Sequence, residues 1–273
     1  MTISTKSDLK LLSKEIRKRI LVTSHKAKVP HVGSSLSCVD ILTLLYFSVL
    51  KIDPTYPRAE ERDRFILSKG HGAPALFQVL ALRGFYPESL LERYGEDGGI
   101  FAEHPPSPDR LPGIEAATGS LGHGFPMAIG MALAARIRKK SYRVYALLSD
   151  GECNEGSIWE GALFAAAQNL DNLCILIDFN KWQATGRSCE ILSLEPLRKK
   201  WEAFGWETYE VDGHDLQALT RTLQLFPSIG KKPVAIIAHT VKGRGVSFME
   251  DDNNWHYAIP TAEQLLIALQ ELS

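Results

Sequence analysis

The sequence predicts an α/β chain: a doubly wound, mostly parallel sheet with helices on both faces. Two observations carry this. First, two short apolar runs, Val144–Leu148 and Leu173–Ile177, are joined by a helical pattern and end in Ser149-Asp150-Gly151 and Asp178-Phe179-Asn180. Uninterrupted apolar runs of this length fit strands buried on both faces. Second, strand and helix patterns go on alternating to the C-terminus, the signature of a parallel sheet. Asp150 and Asn180, thirty positions apart, then stand at the C-terminal ends of two strands. In open α/β sheets ligands bind at that edge. A carboxylate and an amide oxygen held there suit a hard cation such as Mg²⁺, which in turn neutralises a diphosphate. Gly151 allows the backbone to approach the phosphates closely.

Taken in order, Ser7–Lys28 reads as a helix, with Asp8 near its start and apolar residues at Leu9, Leu12, Ile16 and Ile20. It stops near Pro30. His31–Ser37 reads as a polar loop, with Ser37 placed to cap an apolar helix over Val39–Leu50. Arg64–Ser68 is a short strand running into Lys69-Gly70-His71-Gly72. A helix follows from Pro74 to Arg83, with proline at a permitted first-turn position, and Pro87–Tyr94 makes another short helix. Gly95–Gly119 is a long irregular segment carrying His104 and four prolines, and loops of that length are commonly functional. Gly119-Ser120-Leu121-Gly122-His123-Gly124 opens the helix Phe125–Lys139, a natural anion contact and equally an ordinary turn. Beyond Asn180, helices are expected over Leu194–Phe204 and Asp215–Phe226, and strands over Glu207–Val211 and Val234–Ala238. A last helix, capped by Thr261, runs to Leu272. No internal repeat or linker divides the chain, so residues 1–273 read as a single domain.

The bulk properties narrow the classes. An apolar fraction of 45% supports a sizeable core. A formal net charge of −1 favours neither nucleic acid nor an anionic membrane as partner. The start, Met1–Lys6, has no apolar leader run, and the apolar stretches Ile41–Leu50 and Phe125–Ala135 are too short to span a bilayer. Cys38, Cys153, Cys174 and Cys189 have no C-x-x-C spacing, so a reduced, cytoplasmic setting is expected. Cys38 and Cys174 read as small core residues. Cys153, inside the key loop, is weighed as a nucleophile and set aside for want of a supporting motif.

With these residues in place, the chain resembles the thiamine-diphosphate-binding half of a transketolase. Four patterns occur in the family's order: Phe65–His71, Thr118–Gly122, Asp150–Gly156 and Thr240–Gly245. The resemblance implies thiamine diphosphate with Mg²⁺, or Ca²⁺ or Mn²⁺ in its place. It implies Asp150, Asn180 and the Trp182 carbonyl as metal ligands, and Gly151 against the diphosphate. It further implies Gly119 and Leu121 beside the cofactor, Glu155 at a dimer interface near a partner glutamate, and His31, His71, His104 and His256 around the reacting centre. Imidazoles suit that last task because their unperturbed pKa is near ~6.5.

Single residues also carry plainer readings. Asp150 could cap the following helix, His256 could pack with Trp255 and Tyr257, and Lys242 and Arg244 read as solvated loop charges. His25, His214 and His239 read as structural, and His123 as a cofactor or interface contact. Two motif positions depart from the family: Ser149 replaces a glycine, and Pro30–Ser35 replaces the usual G-H-P-G. The resemblance ends after the first of the family's three domains. It therefore implies a split enzyme, with a C-terminal subunit supplying the pyrimidine-binding and C-terminal domains in an α2β2 assembly. The implied reaction is ketol transfer between sugars or sugar phosphates. Alternatives are a 1-deoxyxylulose-5-phosphate-synthase-like or acyl-transfer enzyme, or an orphaned binding module.

Overall fold

A computed structural model describes residues 6–226 and 232–273. Met1–Thr5, on which the expectation about a leader rests, lie outside the described residues. Five strands, β1 (Arg64–Leu67), β2 (Val144–Ser149), β3 (Leu173–Phe179), β4 (Glu207–Asp212) and β5 (Val234–His239), form one sheet in the order β1-β2-β3-β5-β4. Every pairing is parallel. No described helix is long and apolar enough to cross a membrane.

The period-two alternation of each strand divides its side chains between two cores. Phe65, Leu67, Tyr145, Leu147, Cys174, Leu176, Val234 and Ile236 face one side. Ile66, Val144, Ala146, Leu148, Ile175, Ile177, Ala235 and Ile237 face the other. The first side is covered by α1 (Lys6–Ala27), α2 (Val32–Ser37), α3 (Val39–Leu44), α4 (Ala73–Arg83), α9 (Leu216–Leu225) and α10 (Ala262–Glu271). The second is covered by α5 (Gly124–Ile137), α6 (Gly156–Ala167) and α8 (Leu197–Ala203), with Trp201 and Trp206 fully enclosed. The short helix α7 is Ser188–Ile191. Thr261 caps α10 through a capping box with Gln264.

Three local expectations are corrected. His31–Ser37 is not a polar loop: Val32–Ser37 is α2, with His31 as its N-cap residue. Its six residues are all buried, so packing overrides the weak helix propensity of its serines and glycine. Ser37 caps nothing; its hydroxyl donates to Asp178 at 2.6 Å, and Cys38 separates α2 from α3. The helix drawn over Val39–Leu50 is α only to Leu44 and continues as a π-turn over Leu45–Val49. Among the smaller differences, the 194–204 helix begins only at Leu197, since Pro196 precedes it.

A buried ion pair locks α1 and α3 to the loops after β4 and β5. Arg17 grips both Asp40 carboxylate oxygens at 3.1 and 2.6 Å. His214 bonds the same carboxylate through Nδ1 at 2.8 Å and accepts the Val241 N–H at Nε2, 2.9 Å away. That is the structural part expected of His214. Burial alone would raise the Asp40 pKa, but Arg17 and His214 hold it well below the usual carboxylate range. A carboxylate depressed in the folded state adds stability above its unfolded pKa and loses it as pH falls through the folded value. Asp40→Ala should therefore cost about 3–5 kcal/mol at pH 7 by stranding buried Arg17. In urea titrations the gap to the wild type should close only below pH ~3.9.

Candidate active site

The C-terminal ends of β1, β2, β3 and β5 converge on one floor. Its centre is Asp178, at the end of β3, an acid that no sequence pattern singles out. Asp178 and Lys69 are both fully enclosed and form an ion pair. Lys69 also donates to the Ser34 carbonyl at 2.9 Å. Asp178 further accepts from Ser37 and from the Thr240 hydroxyl. Burial opposes both charges, yet each outweighs it for the other: the Asp178 pKa is lowered and the Lys69 pKa raised. The only sequence signal for this pair was position, Lys69 directly after β1 and Asp178 at the foot of the Asp-Phe-Asn turn.

Glu152, also missed, ties three motifs together. It is fully buried and accepts from Ser68 Oγ at 2.5 Å and from the Gly122 N–H at 2.9 Å. Gly122 sits at φ 79°, where an added Cβ would lie 2.5 Å from Ser157 Oγ. Gly70 is required by proximity: a Cβ there would meet the Thr118–Gly119 backbone at 2.8 Å. The loop of Gly119 and Leu121 is thus pressed against the loop of His71.

Asp150 is enclosed at the end of β2. One oxygen accepts from Ser188 Oγ at 2.8 Å, and the other, Oδ1, is buried without a partner. It does not cap the following turn. Burial raises its pKa to about 7, the Ser188 hydroxyl opposing and Asp178 adding to the rise. Asn180 Oδ1 accepts the Trp182 N–H at 3.0 Å and keeps a second lone pair. Residues 181–188 fold back as a small hairpin, Trp182 bridging to Arg187, whose guanidinium stacks 3.7 Å from the indole. An unpartnered carboxylate oxygen, an amide oxygen and a nearby backbone turn are a hard-oxygen set, which fits Mg²⁺ or Ca²⁺. Among the described residues no group of three His, Cys, Asp or Glu side chains is placed to hold a metal.

Above this floor four histidines from separate segments meet. The His31 ring lies 5.9 Å from His71, 5.8 Å from His104 and 5.0 Å from His256, and His71 lies 5.7 Å from His256. His31 holds a left-handed backbone at φ 68°, a conformation that costs a non-glycine residue ~1 kcal/mol or more. Its N–H donates to the His256 carbonyl at 2.9 Å. Burial, helped by Lys69 and the neighbouring imidazoles, drives His71 well below the ordinary histidine value. Burial and Lys242 bring His256 down to about 3. His104 is lowered by burial against the pull of Glu103. The cluster is therefore neutral near pH 7. His256 also packs on Tyr257, ring centres 4.7 Å apart, as its aromatic reading expects.

Lys242 is not the solvated charge expected. It is 1% exposed, its ammonium donating to Asn253 Oδ1 at 2.6 Å and to His256 Nδ1 at 3.1 Å. Burial, with Lys69 repelling, lowers it to about 8. Arg244 is half-exposed and pairs with Glu250. Cys153 is enclosed, and burial raises its thiol far above the ordinary value, which removes it as a nucleophile. Glu155 and His123 are exposed at the starts of α6 and α5.

The comparisons with known proteins agree on one family. Residues 10–271 match the family described as transketolase, thiamine diphosphate binding domain. The chain belongs to the transketolase family. Among its relatives, one of the subunits of apulose-4-phosphate transketolase from Phocaeicola vulgatus is 43% identical over 265 residues, spanning 97% of this chain and 94% of that protein. A 6-deoxy-6-sulfo-D-fructose transketolase subunit from a Clostridium species is 42% identical, spanning 97% and 96%. Transketolase from Leishmania mexicana superposes with a TM-score of 0.89 at 25% identity, covering 95% of this chain but 40% of that one. The chain thus matches the subunit-type relatives end to end and less than half of the Leishmania transketolase.

Proposed function

We propose that this chain is the N-terminal subunit of a split transketolase, moving a two-carbon ketol unit between sugars with thiamine diphosphate. The carrying observation is Asp150 Oδ1, a buried carboxylate oxygen with no partner at the C-terminal edge of the sheet. An unpaired buried carboxylate is costly unless a cation meets it. Asp150, Asn180 and the Trp182 carbonyl would hold Mg²⁺, or Ca²⁺ or Mn²⁺, with Gly151 beside the diphosphate and Gly119 and Leu121 beside the aminopyrimidine. When bound, thiamine diphosphate supplies the carbanion and the electron sink. The protein supplies position and proton movement. Buried Lys242 favours an anion at this floor. His31, His71, His104 and His256, held neutral, can bind sugar hydroxyls or take protons from them.

Residues 1–273 act as one unit in this reading, and a second subunit completes the pocket in an α2β2 assembly. Exposed apolar side chains on α5 and α6, Met127 at 43%, Leu163 at 58% and Phe164 at 45%, support such a contact beside Glu155. The relatives are named for a sugar phosphate and a sulfo-sugar. We accordingly place the substrate among small sugars carrying an anionic group. Buried free thiols at Cys38, Cys153 and Cys174 fit a reducing cytoplasm. The test is a donor screen on the complex reconstituted with its C-terminal subunit. Ketoses should serve as donors. Turnover with pyruvate and none with any ketose would replace ketol transfer by the 1-deoxyxylulose-5-phosphate-synthase-like, acyl-transfer reading.

A further inference from the structure

Glu103 stands beside the histidine cluster, outside every motif of the sequence. Its segment is fixed. Phe101, two residues earlier, is buried with its ring 5.1 Å from that of Phe77, and His104 follows directly. The Glu103 carboxylate lies 3.4 Å from His31 Nε2 and is half-exposed, whereas the His31 side chain is 10% exposed. At the opposite end of the same ring, Nδ1 is buried without a partner.

A neutral imidazole has one N–H and one lone pair, and a carboxylate only accepts. With Nε2 facing Glu103, the favoured tautomer puts the hydrogen on Nε2. The reverse would set a lone pair against the carboxylate. Nδ1 is then left as the acceptor, among the rings of His71, His104 and His256. It is buried, so a hydroxyl or a ring N–H carried into the cluster is placed to hand it a proton.

We propose that Glu103 is a positioning residue: it fixes the Nε2–H tautomer of His31, leaves Nδ1 as the proton acceptor of the cluster, and stabilises the ring once it is protonated. In that step the O–H bond of a ligand hydroxyl breaks as the Nδ1–H bond forms. The O–H electron pair stays on the oxygen, and the new imidazolium is balanced by Glu103. The assignment deepens the proposed ketol transfer, although its test does not depend on that reading.

The groups facing His31 are Glu103, His71, His104, His256, Tyr257 and Lys242. Burial lowers the His31 pKa; Glu103 pulls it back up, while His104 and Lys242 oppose. Removing Glu103 therefore lowers it further. The experiment is long-range ¹H–¹⁵N NMR on the full chain with ¹⁵N-labelled histidine, without cofactor or partner, from pH 8 to pH 5. In the wild type His31 should be protonated at Nε2 and not at Nδ1. Glu103→Ala should mix the tautomers and lower the His31 midpoint by ~0.5–1 unit, less than a buried pair would give. Glu103→Gln, which keeps an acceptor oxygen, should hold the tautomer but lose the charge effect. The His71 signals should stay in place in both variants, which a general loosening of the site would not allow. A wild-type Nδ1–H tautomer, or a midpoint unmoved by Glu103→Ala, overturns the assignment. Failure of ketol transfer itself would appear in the donor screen and leave this measurement intact.

Discussion

Asp150→Ala should strongly weaken the metal-dependent binding of thiamine diphosphate to the reconstituted complex while leaving the fold intact. The carboxylate is fully enclosed, and only one of its oxygens has a protein partner, Ser188. Its pKa is raised to about 7 by that burial, so in the free chain the charge is a strain on the fold and not a support. Deleting it removes an uncompensated buried group, and thermal unfolding of the free chain should be unchanged or slightly later. Charge-assisted contacts are worth ~1.5–3 kcal/mol each. Losing the charged ligand proposed for the cation should weaken cofactor binding ~100-fold in calorimetric titrations with Mg²⁺. Asp150→Asn, which keeps one oxygen without the charge, should fall between. A large fall in unfolding temperature with unchanged cofactor affinity would mean that Asp150 is structural.

Lys69→Met should do the opposite. Lys69 and Asp178 share an interior with no solvent access, and Asp178 also receives Ser37 and Thr240. Methionine matches the length of lysine but leaves the carboxylate without its countercharge. Breaking a buried pair on one side costs about 3–5 kcal/mol. For a chain of this size that lowers the unfolding temperature by ~10 °C, readable by circular dichroism. The loss should be partly relieved in Lys69→Met/Asp178→Asn, since removing both charges leaves no unpaired ion. If the double variant is no more stable than the single one, the pair is not the element that holds the floor together.

These two residues also show what could be read from the sequence. The strands ending at Asp150 and Asn180 were visible because apolar runs buried on both faces leave an unmistakable pattern. The histidines were singled out through motif order, and the fold brings their rings together: His31 heads α2, His71 and His256 lie in 3-10 turns, and His104 lies in a loop. Lys69, Asp178 and Glu152 were not. A buried charge is recognised by its partner, and Lys69 lies 109 positions from Asp178. Periodicity carries no record of such pairs. Lys242 was misread for the same reason, because its burial comes from Asn253 and His256 folding over it. The α2 segment failed differently: Val32-Gly33-Ser34-Ser35-Leu36-Ser37 has poor intrinsic helix propensity and is helical because it is enclosed on all sides. Chain-local chemistry is legible where it repeats or caps, as at Thr261, and silent where tertiary contacts decide.

The central claim is that this chain holds the diphosphate end of the cofactor and depends on another subunit for the rest of the site. The most direct measurement is ketol transfer from a ketose donor with Mg²⁺ and thiamine diphosphate, by the purified chain alone and after addition of a C-terminal transketolase subunit. The account predicts no turnover from the chain alone and turnover that saturates at a one-to-one ratio of the two subunits. Full turnover by the isolated chain would contradict it.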